Sequence, residues 1–115
     1  MGRPVTHFEI GAKDDQAMQK FYGDLFGWKI NVHEASGYGI VETGGEGGIG
    51  GGIFATPTGE PYTAFYVDVD DVQATLDQAE KLGGKTMMGP MQVPGGPEVA
   101  MFTDPEGNTI GIARM

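Results

Sequence analysis

The chain contains no cysteine. This excludes disulfides, thiolate nucleophiles and Cys-ligated zinc, and leaves any core to form by apolar packing alone. Basic residues are scarce too. Seven Lys and Arg stand against 16 Asp and Glu, for a net charge of −9. A surface of that sign repels phosphate backbones and anionic lipid, so neither nucleic acid nor a membrane is an expected partner. No apolar run approaches the roughly 18 residues of a membrane span. The N-terminus lacks the apolar core of a secretory signal, so the expected location is cytoplasmic. Histidine occurs only twice and tryptophan once, and no Ser/His/Asp arrangement is apparent. At 115 residues, 39% of them hydrophobic, the chain is long enough to bury roughly two thirds of its unfolded surface without such staples.

What is present is said twice. Displaced by 57 residues, the stretch from His7 to Ile30 lies without a gap on Ala64 to Met87. Phe8 then coincides with Phe65, Asp14 with Asp71, Gln16 with Gln73, Ala17 with Ala74, Leu25 with Leu82 and Gly27 with Gly84. A repeat of this size implies two similar halves that complete one core together. The expected modules run from about residue 4 to 56 and from about 61 to 115, within a single domain.

Each copy reads as strand, acidic helix start, amphipathic helix, glycine stop and further strands. Val5 to Gly11 alternates, placing Val5, His7 and Glu9 on one face and Thr6, Phe8 and Ile10 on the other. Asp14 and Asp15 suit a helix N-terminus. Met18, Phe21, Tyr22 and Leu25 follow at helical spacing as one apolar stripe, and Gly27 stands where a C′ glycine belongs. Strands are predicted over 28–34 and 38–43. In the second copy, a strand over 62–69 leads to Asp70-Asp71. A helix follows, striped by Val72, Leu76, Ala79 and Leu82, with Gly83-Gly84 as its stop. Strands are then predicted over 85–88, 98–103 and 108–114. The stretch 89–97, GPMQVPGGP, is too rich in Pro and Gly for regular structure and reads as a mobile loop. The order β-α-β-β-β, twice over, defines an α+β fold of two β-α-β-β-β modules forming a curled, cleft-containing mixed sheet.

Residues 44–52, GGEGGIGGG, satisfy G-x-G-x-x-G from Gly45 to Gly50. A dinucleotide site needs that motif to open a helix after a strand, whereas here Pro57 follows closely with no helical periodicity. The stretch reads instead as a strand nearly free of side chains, leaving room for a ligand or for another chain.

The phrases VTHFEIGAKD, KFYGDLFGWKI, YVDVDDV and DPEGNTIGI, set in this doubled order, resemble the vicinal oxygen chelate superfamily. That is the group of glyoxalases, bleomycin-resistance proteins and extradiol dioxygenases, and the resemblance spans essentially the whole chain. It implies a cleft inside each curled sheet, a homodimer and, in the enzymes, a divalent metal held by one residue from each of four inner strands. His7 matches the first of those positions. The next falls on Gly50-Gly51-Gly52, the third at about Ala64 and the fourth on Gly111, none of which carries a donor. One imidazole does not hold an ion that needs about three or four protein donors. The expectation is therefore a site without a cofactor, a divalent metal staying open only through donors such as Glu42 or Glu98 brought to a dimer interface.

His7 reads as a general base, a hydrogen-bond partner for a substrate, a remnant ligand, or a histidine simply buried in the sheet. Glu9 shares its face and either orients the imidazole or lies solvated at the rim. Tyr66 is the repeat equivalent of Glu9, as an aromatic wall with a polar tip or as ordinary core. His33 would complete a two-His, one-carboxylate set only if its outer strand turned inward. Trp28, Tyr38, Gly51, Met87, Met88, Met91 and Met101 are candidate walls of an apolar ligand pocket, with plain core packing as the alternative for the methionines. Two functions follow. One is a small protein that binds a small, largely apolar molecule in the cleft, without the metal site. The other is a small lyase, isomerase or epimerase in which His7, with Glu9 and Tyr66, does acid–base work, or in which a metal site is completed between subunits.

Overall fold

The duplication becomes two compact units in the computed structural model, which describes residues 2–115. One unit is residues 7–63, and the other is residues 64–115 joined by residues 2–6. The first carries β1 (Val5–Ala12), α1 (Asp15–Phe26), β2 (Lys29–Val32), β3 (Gly39–Glu42) and β4 (Gly50–Ala55). The second carries β5 (Tyr62–Asp68), whose first two residues still belong to the first unit, α2 (Val72–Lys81), β6 (Lys85–Gln92), β7 (Glu98–Thr103) and β8 (Thr109–Arg114). Strand order in the first is β2-β3-β4-β1, and in the second β6-β7-β8-β5. In both, the opening strand runs parallel to the closing one and the remaining pairs are antiparallel. The fold is the expected α+β one, a βαβββ module stated twice.

The helix starts follow the repeat. Asp14 accepts a hydrogen bond from the Ala17 amide at 3.0 Å, and Asp71 from the Ala74 amide at 2.9 Å. Each satisfies one of the helix's orphan amides. The stops differ. Gly27 takes the left-handed conformation at φ 71° and donates to the Gly23 carbonyl. In the second copy it is Gly83, at φ 102°, that turns left-handed. Its neighbour Gly84 is packed so closely that a Cβ would meet the Thr103 carbonyl oxygen at 2.7 Å.

The core of the second unit joins Val69, Val72, Leu76, Ala100 and Ile112, with Val67 and Phe102 against them. Each large member stabilises the fold by about 1.5 to 3 kcal/mol relative to exposure. In the first unit Val41 and Ile53 are buried, but the buried residue of α1 is Gln19. Its amide donates to the carbonyls of Ile53 at 3.0 Å and Gly37 at 3.2 Å, fastening the helix to the sheet. The apolar stripe expected to bury α1 is only partly covered: Phe21 and Leu25 remain exposed.

The stretch 89–97 is corrected in its first half. β6 continues to Gln92, and its register against β7 shifts between Thr86 and Met88 and again between Met88 and Met91. Bulges at an edge strand absorb Gly89 and Pro90, which an interior ladder would not tolerate. The turn itself is short: the Val93 amide donates to the Pro97 carbonyl at 2.9 Å, and Gly95 is left-handed at φ 71°.

Candidate functional site

The polar candidates of the first unit gather on one face of its sheet. His7 and Glu9 share that face of β1, opposite Gly50 and Gly52 of β4, and Ile40 of β3 stands across from Gly52. Glu9 is buried, with 8% of its surface exposed. Its Oε1 accepts a 2.6 Å hydrogen bond from the Tyr62 hydroxyl. The His7 Nε2 lies 3.4 Å from the Tyr38 hydroxyl. Tyr38 and Tyr62 flank Phe54, at centroid distances of 5.8 and 6.1 Å. One strand face thus presents a carboxylate, an imidazole and two phenols set among rings.

Glycines admit those rings. A Cβ on Gly52 would fall 1.8 Å from the Tyr38 hydroxyl oxygen, and one on Gly11 would fall 2.5 Å from the Tyr62 ring. Gly51 faces the other way, where a Cβ would strike Phe8 at 2.6 Å. The nearly side-chain-free strand does not stand empty, as its sequence implied; the chain's own aromatic residues fill it. In the second unit the same exchange places the Tyr66 ring over Gly111, 2.5 Å from where a Cβ would be.

Burial sets the proton affinities. Removal from water holds the His7 imidazole below its ordinary value, and the nearby Glu9 charge only partly offsets this. His7 is therefore neutral near pH 7 and available as an acceptor or base. Burial pushes both Tyr38 and Tyr62 well above the usual phenol range. The Glu9 carboxylate adds to this in both cases, through its charge at Tyr38 and through the hydrogen bond and charge at Tyr62.

The remaining candidates are dispersed. Trp28 is on the opposite face of the first sheet from His7, stacked on Tyr22 at 5.8 Å and against Phe8 at 5.4 Å and Phe26 at 5.0 Å. Tyr66 and Met101 belong to the second unit, where both are buried and Met101 lies opposite Gly111 and Met88. Met91 is exposed, opposite Val99. Met87 is exposed, with its Sδ 3.8 Å from the Thr109 hydroxyl. His33 sits exposed in a turn, its Nδ1 3.1 Å from the Ser36 hydroxyl. Glu42 accepts from the Asn31 amide at 2.8 Å, and Glu98 lies in the ladder between Gln92 and Arg114. Sequence reasoning missed Tyr62 and Phe54. Tyr66 was singled out by the repeat; Tyr62, Ala64 and Tyr66 share one parity in β5, so strand alternation would have pointed to Tyr62 as well.

A β-α-β-β-β module repeated in tandem, with polar groups drawn onto one strand face, defines a recognisable fold class. The chain belongs to the Glyoxalase/Bleomycin resistance protein/Dioxygenase superfamily, whose family model matches residues 5–112. A glyoxylase-like domain-containing protein of Didymella fabae is 32% identical over 116 residues, which cover 94% of this chain and 91% of that one. The anthracycline biosynthesis protein DnrV of Streptomyces peucetius is 30% identical over 124 residues, covering 93% of this chain and 45% of that protein. The chain thus spans less than half the length of that relative. Among solved structures, the Mn(II)-bound glyoxalase from Novosphingobium aromaticivorans aligns with a TM-score of 0.69 at 21% identity, over 99% of this chain and 40% of that one. At that identity the likeness is one of fold.

That neighbour in fold holds Mn(II). Among the described residues no three His, Cys, Asp or Glu side chains stand together so as to hold a metal. Gly52, within the stretch 50–52 where the resemblance implies a second ligand, and Gly111, where it implies a fourth, are covered by Tyr38 and Tyr66.

Proposed function

We propose that the protein binds a small, largely apolar, uncharged molecule against the His7–Glu9 face of its first unit, without a divalent metal. The observation that carries this is the setting of Glu9. A carboxylate buried on the strand face that also carries Tyr38, Phe54 and the exposed Ile40, and held by Tyr62 at 2.6 Å, is costly to keep. The rings and Ile40 suit an apolar body, while the neutral His7 and the Tyr38 hydroxyl suit one polar group on it. Glu9 and the net charge of −9 disfavour carboxylates and phosphates. Calorimetric titration with 2-naphthol in the presence of a chelator tests the reading. Saturable 1:1 binding, weakened about tenfold or more in Glu9→Gln and Tyr38→Phe, is the expected result. Absence of saturable heat across naphthols and larger hydroxylated polycycles would sink it.

A second reading rests on His7 alone. A neutral imidazole 3.4 Å from a phenol is equipped to remove a proton from a carbon next to a carbonyl and return it, as a lyase or isomerase requires. Loss of the α-proton signal of an uncharged α-hydroxyketone in D2O, abolished in His7→Gln, would favour this reading over simple binding.

A further inference from the structure

The repeat supplies an internal comparison. In the first unit the strand register lines up one row across the sheet: Glu9 on β1, Gly52 on β4, Ile40 on β3 and Asn31 on β2. The matching row of the second unit runs Tyr66 on β5, Gly111 on β8, Met101 on β7 and Met88 on β6. The second position is glycine in both rows, and each glycine lies beneath a tyrosine, Tyr38 over Gly52 and Tyr66 over Gly111. The ends differ. The second row is apolar but for one phenol hydroxyl, and its Tyr66 and Met101 are buried. The first row has a buried carboxylate at one end, an exposed amide at the other, and the exposed Ile40 between them. One scaffold carries both rows, so the polar ends of the first are not needed to form the sheet.

The far end of that row is itself organised. The Asn31 side-chain amide donates to Oε2 of Glu42 at 2.8 Å and so holds the carboxylate beside the row. Glu42 and Ile40 are the exposed positions of β3, alternating with the buried Val41, and therefore share the face that carries Glu9. A carboxylate with one oxygen engaged can still accept another donor. Four strands span three gaps of about 4.8 Å, which sets the two ends of the row roughly 14 Å apart at the backbone. Between them the surface is the Tyr38 ring and Ile40.

We propose that the Asn31–Glu42 pair is a second polar anchor on this face, and that the ligand is an elongated, apolar, uncharged molecule with a hydroxyl group at each end. The proposal rests on the reading of the His7–Glu9 face as a binding face and adds its specificity. One hydroxyl meets His7 and Tyr38, the body lies along the Tyr38 ring and Ile40, and the far hydroxyl donates to Glu42. Asn31 is a positioning residue that fixes the carboxylate.

Calorimetric titration with 4-phenylphenol and 4,4′-biphenol, which differ only in the far hydroxyl, is the test. The wild type should bind the diol about tenfold more tightly, where two equivalent hydroxyls alone would give only about twofold. In Glu42→Val the preference should fall to that statistical level, and in Asn31→Val it should fall part of the way. Both variants place a good strand former at an exposed strand position and should keep the wild-type circular dichroism. Glu9→Gln should weaken both ligands alike. A wild type with no more than the statistical preference, or a preference that survives Glu42→Val, would overturn the second anchor while binding of 4-phenylphenol left the first reading standing. Saturable binding of neither ligand would overturn both.

Discussion

Tyr62 and Glu9, 53 residues apart in the chain, are joined by a 2.6 Å hydrogen bond that ties the start of β5 to the middle of β1 within one compact unit. Hydrogen bonds to a charged group stabilise by about 1.5 to 3 kcal/mol. Tyr62 is only half-buried, so the lower end of that range applies. Tyr62→Phe should lower the free energy of unfolding by about 1.5 kcal/mol in urea titrations. Glu9→Gln should remove most of that difference in a double-mutant cycle. A coupling energy near zero would mean that the contact does not hold the site together.

Gly52→Ala should displace the Tyr38 ring, because the new Cβ would overlap its hydroxyl. Overpacking of this kind costs about 1 to 3 kcal/mol. Truncation of the ring should relieve it: in Tyr38→Ala the additional cost of Gly52→Ala should fall below about 0.5 kcal/mol. Gly111→Ala should be at least as costly, since the Tyr66 ring above it is buried. Thermal denaturation of the four variants provides the comparison.

His7 sets an acid limit. Its folded-state pKa is lowered by burial, so the unfolded chain binds the proton more tightly. The stability this linkage affects is intact above about pH 6.5 and declines as pH falls below that value. His7→Gln should lose this component, so that the stability difference between wild type and variant changes between pH 7.5 and pH 5.5. Tyr38 and Tyr62 act at the other end. Their phenols are raised in the folded state, so stability should fall as pH rises past about 10, and less steeply in the Tyr38→Phe/Tyr62→Phe double variant.

The two helix caps should be interchangeable in magnitude. Asp14→Ala and Asp71→Ala each remove one side-chain acceptor from an otherwise orphaned amide. Each should cost about 1 kcal/mol by equilibrium denaturation. Asn at either position should restore most of it.

The fold was legible because its punctuation is local. Asp14, Asp71 and Gly27 act on the amides and carbonyls of their own turns, and the period of two in 5–11 needs no distant partner to be read. β6 was read as too short because Gly89 and Pro90 break regular structure in general, whereas an edge strand with two register shifts accommodates both. The site was half legible. The shared face of His7 and Glu9 follows from alternation alone. The seating of Tyr38 over Gly52 and of Tyr62 on Glu9 depends on which strands become neighbours, and sequence spacing does not carry that. The facing of Trp28 was not legible for the converse reason: next to a strand of unknown facing, an aromatic residue has no side until the register is set.

The exchange of a side chain for a ring at Gly52 has a consequence for how this chain can change. An imidazole or carboxylate introduced at position 52 by one substitution would arrive in space that Tyr38 already occupies. Loss of Tyr38 by itself would strip the His7 ring of its phenol contact before anything replaced it. Neither step is neutral alone, and Gly111 with Tyr66 presents the same pairing in the second unit. A donor-bearing strand at these positions would require paired substitutions in each unit, so the present arrangement sits in a valley of sequence space that single mutations do not leave.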